Sequence, residues 1–250
     1  MISETNNYYS EISRCCKRLK LSSNLAENAM IKTGCNNQEY LLNLFREELH
    51  HRDMLRISKF QNTAGFPRRY EFCDFHPDEV QFPNDLTLDD LRELSFYREK
   101  KNLLMYGGTG TGKTMLSICI GIEACRNNIP VRFFRTAALV NRLSEAKSKG
   151  SLSPFLTKLD KASILILDEF GYVPYDRTGT QLLFDYLSEI HEQKPVILNT
   201  NLEFSRWVNI LYDEQMTSAL IGRLMHHCYL ILFPGENYRL KEATINQFQR

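Results

Sequence analysis

Residues 107–114 have the sequence Gly-Gly-Thr-Gly-Thr-Gly-Lys-Thr, and this stretch decides the fold. It satisfies the spacing G-x-x-x-x-G-K-[ST] of a phosphate-binding loop. The apolar run Leu103–Tyr106 precedes the loop, and Met115–Ile118 continues after it at helical spacing. This motif requires a strand before the glycine-rich loop and a helix after it, whereas a chance glycine-rich turn requires neither. The stretch therefore predicts a nucleotide-phosphate site at the end of a β-strand.

The residues of the loop have distinct expected roles. Glycine lets the backbone wrap so that several N–H groups point at one phosphate, and the following helix adds its positive dipole end. Lys113 is expected to reach the β- and γ-phosphates, and Thr114 to place its hydroxyl on Mg²⁺. A dinucleotide fingerprint fits less well, because G-x-G-x-x-G from Gly108 requires a glycine where Lys113 stands. The predicted nucleotide contacts of this stretch are Gly107, Gly108, Thr109, Gly110, Thr111, Gly112, Lys113, Thr114 and Met115.

A second motif, Ile164-Leu-Ile-Leu-Asp-Glu169, is an apolar run that ends in two acids. In a parallel sheet such a strand can lie beside the first and bring its acids to the same carboxyl edge. Asp168 is expected to hold Mg²⁺ through a coordinated water, and Glu169 to polarise the attacking water. Alone, the run is also consistent with a solvated strand end. With the phosphate loop, the acid pair favours ATP hydrolysis, since kinases of small molecules have a hydroxyl acceptor and usually lack this glutamate.

A third apolar run, Pro195–Asn201, also ends in polar side chains. If this strand lies between the first and third predicted strands, its end faces the γ-phosphate. A neutral amide there can hydrogen-bond the attacking water or the phosphate. Asn199 and Asn201 point to one side of the strand, and Thr200 points to the other. The alternative is an Asn-rich turn that caps the next helix.

Two arginines further along the chain are candidates for contacts between subunits. Residues 218–224 have a helical pattern that presents Arg223. An arginine finger from a neighbouring subunit neutralises charge in the transition state, but an exposed structural arginine fits the pattern equally well. Arg239 is a second candidate for phosphate or subunit contact.

The composition is that of an ordinary globular protein of 250 residues with a formal net charge of +1. This charge creates no global field that demands a nucleic-acid partner. No apolar run reaches the length of a membrane span, and the N-terminus lacks the pattern of a secretory signal. The seven cysteines include no C-x-x-C pair, so neither a zinc site nor a disulfide framework is indicated. A cytoplasmic location is expected, because reduced cysteines fit that compartment.

The chain is expected to have three parts: a helical module over residues 1–65, a connector over 66–100 and an ATPase domain over 101–250. Apolar positions recur at helical spacing in the first part, where Asn37 is a candidate helix cap, and a short helix is expected around Thr87–Tyr97. In the third part, helical stretches alternate with short apolar runs, which predicts a parallel sheet with helices on both faces. The predicted strands are Asn102–Tyr106, Val131–Phe134, Ile164–Leu167, Val196–Asn199 and Tyr229–Phe233.

A local basic stretch lies between the module and the connector. It contains one acid, Asp53, against five basic residues, and such a density can track phosphates without reading bases. Phe60 and Tyr70 lie within it, where core packing is favoured over stacking on bases. A solvated helix face is the alternative interpretation. The candidate DNA contacts are Arg52, Arg56, Lys59, Arg68 and Arg69.

Taken in order, these motifs resemble the IstB-type transposition helpers, which are AAA+ ATPases related to the DnaC-like helicase loaders. The resemblance covers most of the chain. It departs from the family pattern at Gly222, where an acid is usual, and at Asn237, where serine is usual. The stretches that carry it are Tyr106–Thr114, Leu167-Asp-Glu-Phe-Gly-Tyr-Val-Pro174, Thr200–Trp207, Arg223-Leu-Met-His-His227, Gly235-Glu-Asn-Tyr-Arg239 and Leu19–Ala26.

The resemblance implies an AAA+ core with a five-stranded parallel sheet, a small N-terminal helical domain and no C-terminal helical lid. It also implies ATP-dependent homo-oligomers on double-stranded DNA that recruit and activate a partner transposase. In this family pattern Asn201 is the sensor and Arg223 is the finger.

Three functions remain open at this point. The first is a transposition helper, and the second is a replicative helicase loader of the DnaC type, whose N-terminal module binds a helicase instead. The third is a monomeric nucleotide enzyme such as a metabolic kinase. A neighbouring transposase gene separates the first two, and ATP-dependent oligomerisation separates both from the third.

Overall fold

The structure is a computed structural model that describes residues 2–32, 36–172, 176–235 and 237, with side chains from residue 9 onward. The chain divides into two compact units, Met1–Lys59 and Phe60–Arg250. The helices are α1 (Ile2–Leu19), α2 (Asn24–Ile31), α3 (Asn37–Ala64), α4 (Leu88–Arg92), α5 (Ser95–Arg98), α6 (Lys113–Arg126), α7 (Thr136–Ser148), α8 (Leu152–Asp160), α9 (Arg177–Glu189), α10 (Val208–Leu211) and α11 (Glu214–His226). The strands are β1 (Asn102–Gly107), β2 (Val131–Arg135), β3 (Ile164–Phe170), β4 (Val196–Thr200) and β5 (Cys228–Phe233).

The first unit is helical and has its own small core. Cys16, Leu25 and Leu44 are buried together, one from each of α1, α2 and α3. Glu48 is buried beside them, where its carboxylate accepts hydrogen bonds from the Ser22 backbone N–H and hydroxyl. This buried acid therefore ties α3 to the start of α2.

The second unit contains a five-stranded parallel sheet in the order β2-β3-β4-β1-β5. All five predicted strands are present, and the predicted α/β class is confirmed. The acid-bearing strand β3 is not adjacent to β1, because β4 lies between them and pairs with both. The carboxyl ends of β1, β3 and β4 consequently meet at one edge, which a parallel sheet presents to its ligand.

Helices cover both faces of this sheet, so its strands are apolar on both sides. Along β3, Ile164 and Ile166 pack into the core on the α6 face, while Leu165 and Leu167 pack into the core on the α7 and α9 face. Successive strand side chains point to opposite faces, which explains why this run is continuously apolar rather than alternating.

The expected connector packs into the second unit. Phe72, Phe75, Leu86 and Phe96 are buried in the core on the α6 face. Gln81 forms an isolated antiparallel bridge to Leu232 of β5. The division into 1–65, 66–100 and 101–250 remains a prediction. The expected absence of a C-terminal lid concerns residues 238–250, which lie outside the described residues.

Two local predictions were wrong in detail. The side-chain oxygen of Asn36 accepts from the Glu39 backbone N–H at 2.9 Å, so Asn36 rather than Asn37 caps α3. The short helix predicted around Thr87–Tyr97 is two helices, α4 and α5, because Leu94 between them has a left-handed backbone (φ 59°). Thr87 caps α4 through the Asp90 N–H, a pairing that the sequence pattern supports.

Among the described residues, we find no helix whose length and apolar character together suit a membrane span.

Candidate active site

The phosphate loop connects the end of β1 to the start of α6, as the motif requires. A Cβ atom at Gly107 would overlap the backbone carbonyl of Phe233 in β5, so only glycine allows this close approach. Gly110 has a left-handed backbone (φ 80°), and a Cβ there would overlap the side chain of Asn237. The loop is therefore shaped by its own glycines and bordered by the residues that follow β5.

Lys113 is buried beneath the loop, and its ammonium group faces backbone oxygens. Nζ donates to the Gly107 carbonyl at 2.8 Å and to the Gly108 carbonyl, and it lies 3.3 Å from the Thr111 hydroxyl. Burial lowers the pKa of Lys113 to about 8, and the nearby Asp168 opposes that change. Bound phosphate would favour the charged form, because an anion stabilises a buried ammonium.

Thr114 and Asp168 meet at the first turn of α6. The Thr114 hydroxyl donates to the Asp168 carboxylate, with distances of 3.0 and 3.1 Å to its two oxygens. Asp168 is buried at the end of β3. Mg²⁺ prefers oxygen ligands and retains several waters, so a hydroxyl and a carboxylate this close could hold it beside a bound nucleotide.

A buried amide and hydroxyl orient the Asp168 carboxylate from the other side. Asn199 Nδ2 donates to Asp168 Oδ1 at 2.9 Å, and the Ser117 hydroxyl donates to Asn199 Oδ1 at 2.9 Å. Ser117 and Asn199 are each at most 1% exposed. The sequence gives a signal for Asn199, because it shares a strand face with Asn201, but Ser117 carries no signal of its own. Asn201 is exposed, one residue beyond the end of β4.

Glu169 projects from a strained strand end. It has a left-handed backbone (φ 56°), and the pairing of β3 with β4 is irregular between Leu167 and Phe170. The hydroxyl of Thr136 donates to the Asp168 carbonyl at 2.9 Å, and that of Thr200 donates to the Phe170 carbonyl at 2.8 Å. Two threonines thus anchor the backbone on both sides of Glu169, whose side chain is exposed.

The Glu169 carboxylate has a partner that the sequence does not indicate. Its Oε2 lies 3.6 Å from Nε of Arg135, the last residue of β2. Both side chains are about half exposed or more, so this contact is worth at most about 1 kcal/mol. A bound nucleotide or water could displace it at little cost.

Arg223 lies away from its own phosphate loop. Asn102, which begins β1, donates from its side chain to the Leu224 carbonyl at 3.1 Å and from its backbone to the His227 carbonyl at 2.7 Å. Gly107, where the loop begins, is at the other end of this strand. At about 3.3 Å per residue, the two edges of the sheet are roughly 17 Å apart. Within its own subunit, Arg223 instead donates to the Ser188 hydroxyl of α9 at 2.6 Å.

The amino-acid sequence of residues 17–245 matches the family described as IstB-like ATP binding protein. This match covers most of the chain. The chain belongs to the IstB-like family. It is an ATPase of that family.

Relatives of this IstB-like protein are named after insertion sequences. A protein of insertion sequence IS21 from Pseudomonas aeruginosa, named as ATP-binding, is 35% identical over 216 residues, which are 84% of this chain and 80% of that protein. A protein of insertion sequence IS5376 from Geobacillus stearothermophilus, also named as ATP-binding, is 31% identical over 209 residues, 84% of this chain and 83% of that protein.

Solved structures share the fold of this IstB-like ATPase. AMPPCP-bound DnaA from Aquifex aeolicus has a TM-score of 0.57 at 19% identity, covering 74% of this chain and 56% of that one. DnaI has a TM-score of 0.52 at 21% identity, covering 68% of this chain and 90% of that one. These likenesses agree with the predicted AAA+ core.

The structure separates the predicted site residues into three groups. Lys113, Thr114 and Asp168 are in mutual reach, and Glu169 lies at the same edge of the sheet. Arg223 is at the opposite edge. Arg239 lies outside the described residues, as do positions 173, 174, 236 and 238 of the motifs that resemble this family.

The candidate DNA contacts are exposed but not all free. In the first unit, Arg52 donates to Glu48 at 2.7 Å and to the Lys20 carbonyl at 2.6 Å, and Arg56 pairs with Asp53 at 3.1 Å. Arg52 therefore also has a structural role beside the buried Glu48. Lys59, in the first unit, and Arg68 and Arg69, in the second, are exposed as well.

Proposed function

We propose that this IstB-like ATPase is a transposition helper that assembles on double-stranded DNA and recruits a partner transposase, with ATP hydrolysis as the assembly switch. The observation that carries the proposal is the location of Arg223 at the sheet edge opposite the phosphate loop. An arginine placed there cannot act on its own subunit's nucleotide, whereas it is available to a neighbour's. This supports a nucleotide site that is completed by assembly.

Within one subunit, the residues divide the chemistry of hydrolysis. Lys113 holds the phosphates from beneath the loop, and Asn199 with Ser117 fixes the Asp168 carboxylate against Thr114. Mg²⁺ held there would neutralise charge on the β- and γ-phosphates. Glu169 leaves its weak contact with Arg135 and accepts a hydrogen bond from the attacking water. Asn201, which is exposed beyond β4, contacts that water or the γ-phosphate as a sensor.

DNA binding by this protein depends on the number of copies that assemble rather than on the charge of one copy. The formal net charge is only +1, so a single copy has a weak field. Exposed basic residues such as Arg68 and Arg69 can contact phosphates without reading bases. When several copies bind one duplex, each further contact forms at high effective concentration, so the overall affinity rises steeply.

Transposition is favoured over helicase loading by the relatives. The proteins that are 31% and 35% identical to this chain are named for insertion sequences, whereas the likeness to DnaI, at 21% identity, shows the fold alone. A transposase encoded next to this gene is the expected partner. The transposase should be retained by the protein on DNA only while ATP is bound.

The assembly is tested by size measurement and electron microscopy with a slowly hydrolysed ATP analogue and duplex DNA at low salt. We expect oligomers that form only when both the ATP analogue and DNA are present. The logarithm of the affinity for DNA should fall linearly with the logarithm of the salt concentration. The double variant Arg68→Ala/Arg69→Ala should reduce the magnitude of that slope by about one for each phosphate that the removed arginines had neutralised. Lys147→Ala/Lys149→Ala, on exposed lysines at the end of α7, is the matched control. A strict monomer under these conditions contradicts the proposal.

A further inference from the structure

Three histidine side chains surround one carboxylate in the second unit. Glu192 Oε1 lies 3.5 Å from His191 Nε2, 3.7 Å from His226 Nδ1 and 3.9 Å from His227 Nε2. The rings of His226 and His227 are perpendicular, with centroids 4.5 Å apart. Among the residues that the structure describes, His191, Glu192 and His226 form the only such group whose ligand atoms all lie within 4.8 Å of one another.

This cluster is separate from the nucleotide site. His191 and Glu192 lie in the turn between α9 and β4, while His226 ends α11 and His227 directly precedes β5. All four residues therefore stand at the amino edge of the parallel sheet, whereas the phosphate loop stands at its carboxyl edge. The two histidines belong to the Arg223-Leu-Met-His-His227 stretch, to which the ATPase chemistry assigns no role beyond Arg223.

One partly buried side-chain amide holds the segments that carry the cluster. Asn102 donates from its side chain to the Leu224 carbonyl at 3.1 Å, and its Oδ1 accepts from the Val196 N–H at 2.9 Å. Its backbone N–H donates to the His227 carbonyl at 2.7 Å. The start of β4, the end of α11 and the start of β5 are thus fixed around one residue, and the four donors are brought together by fixed backbone segments.

We propose that His191, Glu192, His226 and His227 form a binding site for a divalent transition-metal ion, with zinc as the best match. Imidazole nitrogen suits zinc and related metals, whereas Mg²⁺ and Ca²⁺ require oxygen ligands. With metal–ligand bonds of about 2.0–2.1 Å, tetrahedral ligand atoms lie about 3.3 Å apart. The carboxylate oxygen lies 3.5–3.9 Å from the three ring nitrogens, and the ligand atoms of His191, Glu192 and His226 all lie within 4.8 Å of one another. Side-chain rotation would bring these three residues to that geometry, and His227 would turn toward them as the fourth ligand.

The metal would brace the two helices that hold Arg223. Arg223 is three residues before His226, and its partner Ser188 is three residues before His191. His226 is about one helical turn beyond Arg223 on α11, whereas His191 lies two residues past the end of α9, so the metal would join the ends of the two helices beyond the Arg223–Ser188 hydrogen bond. If Arg223 is the trans-acting finger, which rests on the proposed function, the metal would also stabilise the finger's support.

The site is tested by titrating Zn²⁺ into the metal-free full-length protein in competition with a chromophoric chelator, at about pH 7.5, where ordinary imidazole is neutral. We expect one equivalent to bind. His226→Ala and Glu192→Gln should each weaken binding roughly 100-fold, because loss of a ligand exceeds the 10–100-fold effect of losing an outer partner. His76→Ala, an exposed histidine elsewhere, should bind as the parent does.

Co²⁺ provides a second readout that distinguishes this cluster from the exposed thiols of Cys15 and Cys73. Four-coordinate Co²⁺ with nitrogen and oxygen ligands gives visible d–d absorption without the charge-transfer band of a thiolate. Zn²⁺ should also raise the melting temperature of the parent but not of His226→Ala.

Three results overturn the proposal. The first is the absence of stoichiometric Zn²⁺ binding, as expected of an ion-pair cluster that holds no metal. The second is a Zn²⁺ affinity of His226→Ala equal to that of the parent, and the third is a Co²⁺ spectrum with a thiolate charge-transfer band. The titrations contain no ATP or DNA, so they fail or succeed independently of the ATPase proposal.

Discussion

Glu169→Gln is expected to bind ATP as tightly as the parent protein and to hydrolyse it about 100-fold to 10,000-fold more slowly. Glutamine keeps the size of the side chain but cannot accept the proton of the attacking water. The side chain is exposed and its contact with Arg135 is weak, so the substitution should leave folding unchanged. Phosphate release measured beside equilibrium binding of a fluorescent ATP analogue separates the two effects.

The matched control for this variant is Glu145→Gln, which changes an exposed acid on α7 whose carboxylate pairs with Lys149, the residue that follows this helix. It should hydrolyse ATP at the parental rate. Parental hydrolysis by Glu169→Gln itself would remove Glu169 from the role of base.

The second large effect is expected for Lys113→Ala, which should weaken ATP binding by about 100-fold or more, equivalent to roughly 2.7 kcal/mol. The substitution removes the ammonium that lies buried beneath the loop. It also removes the ammonium donor from the Gly107 and Gly108 carbonyls, which weakens the folded loop. Binding must therefore be measured at a temperature where circular dichroism shows that the variant is folded.

Lys149→Ala, on an exposed lysine after α7, is the control for removal of one positive charge. It should bind ATP normally. Unchanged ATP affinity in folded Lys113→Ala would contradict the assignment of the phosphate loop.

The sheet and the phosphate loop could be predicted from the sequence because their signals are local. A run such as Ile164–Leu167 is apolar throughout only if both faces of the strand are covered, and the structure places helices on both faces. The loop motif fixes its own context, since a glycine such as Gly112 is required by its own left-handed backbone (φ 103°).

Contacts between distant residues could not be predicted in this way. Arg135 reaches Glu169 only because β2 and β3 are neighbours in register, which no local pattern encodes. The position of β4 between β1 and β3 was one of two arrangements open to the sequence, and it alone brings Asn199 onto Asp168.

The histidine cluster was missed for the same reason. His191 and His226 are thirty-five residues apart, so they lack the short spacing by which metal sites are found in sequences. Only the sheet, which aligns the starts of β4 and β5 with that of β1, brings them together.

The central claim is that the ATPase site is shared between subunits, and mixing two inactive variants tests it most directly. Glu169→Gln keeps the arginine and lacks the base, whereas Arg223→Ala keeps the base and lacks the arginine. Neither should hydrolyse ATP alone on DNA. In an equal mixture, about a quarter of head-to-tail interfaces combine an intact base with an intact neighbouring arginine, so about a quarter of parental hydrolysis should return.

The control is the double variant Glu169→Gln/Arg223→Ala, which should restore no hydrolysis when it is mixed with either single variant. Recovery in the first mixture alone is the result that a shared site predicts. A mixture that assembles on DNA yet remains as inactive as its components would contradict the shared site.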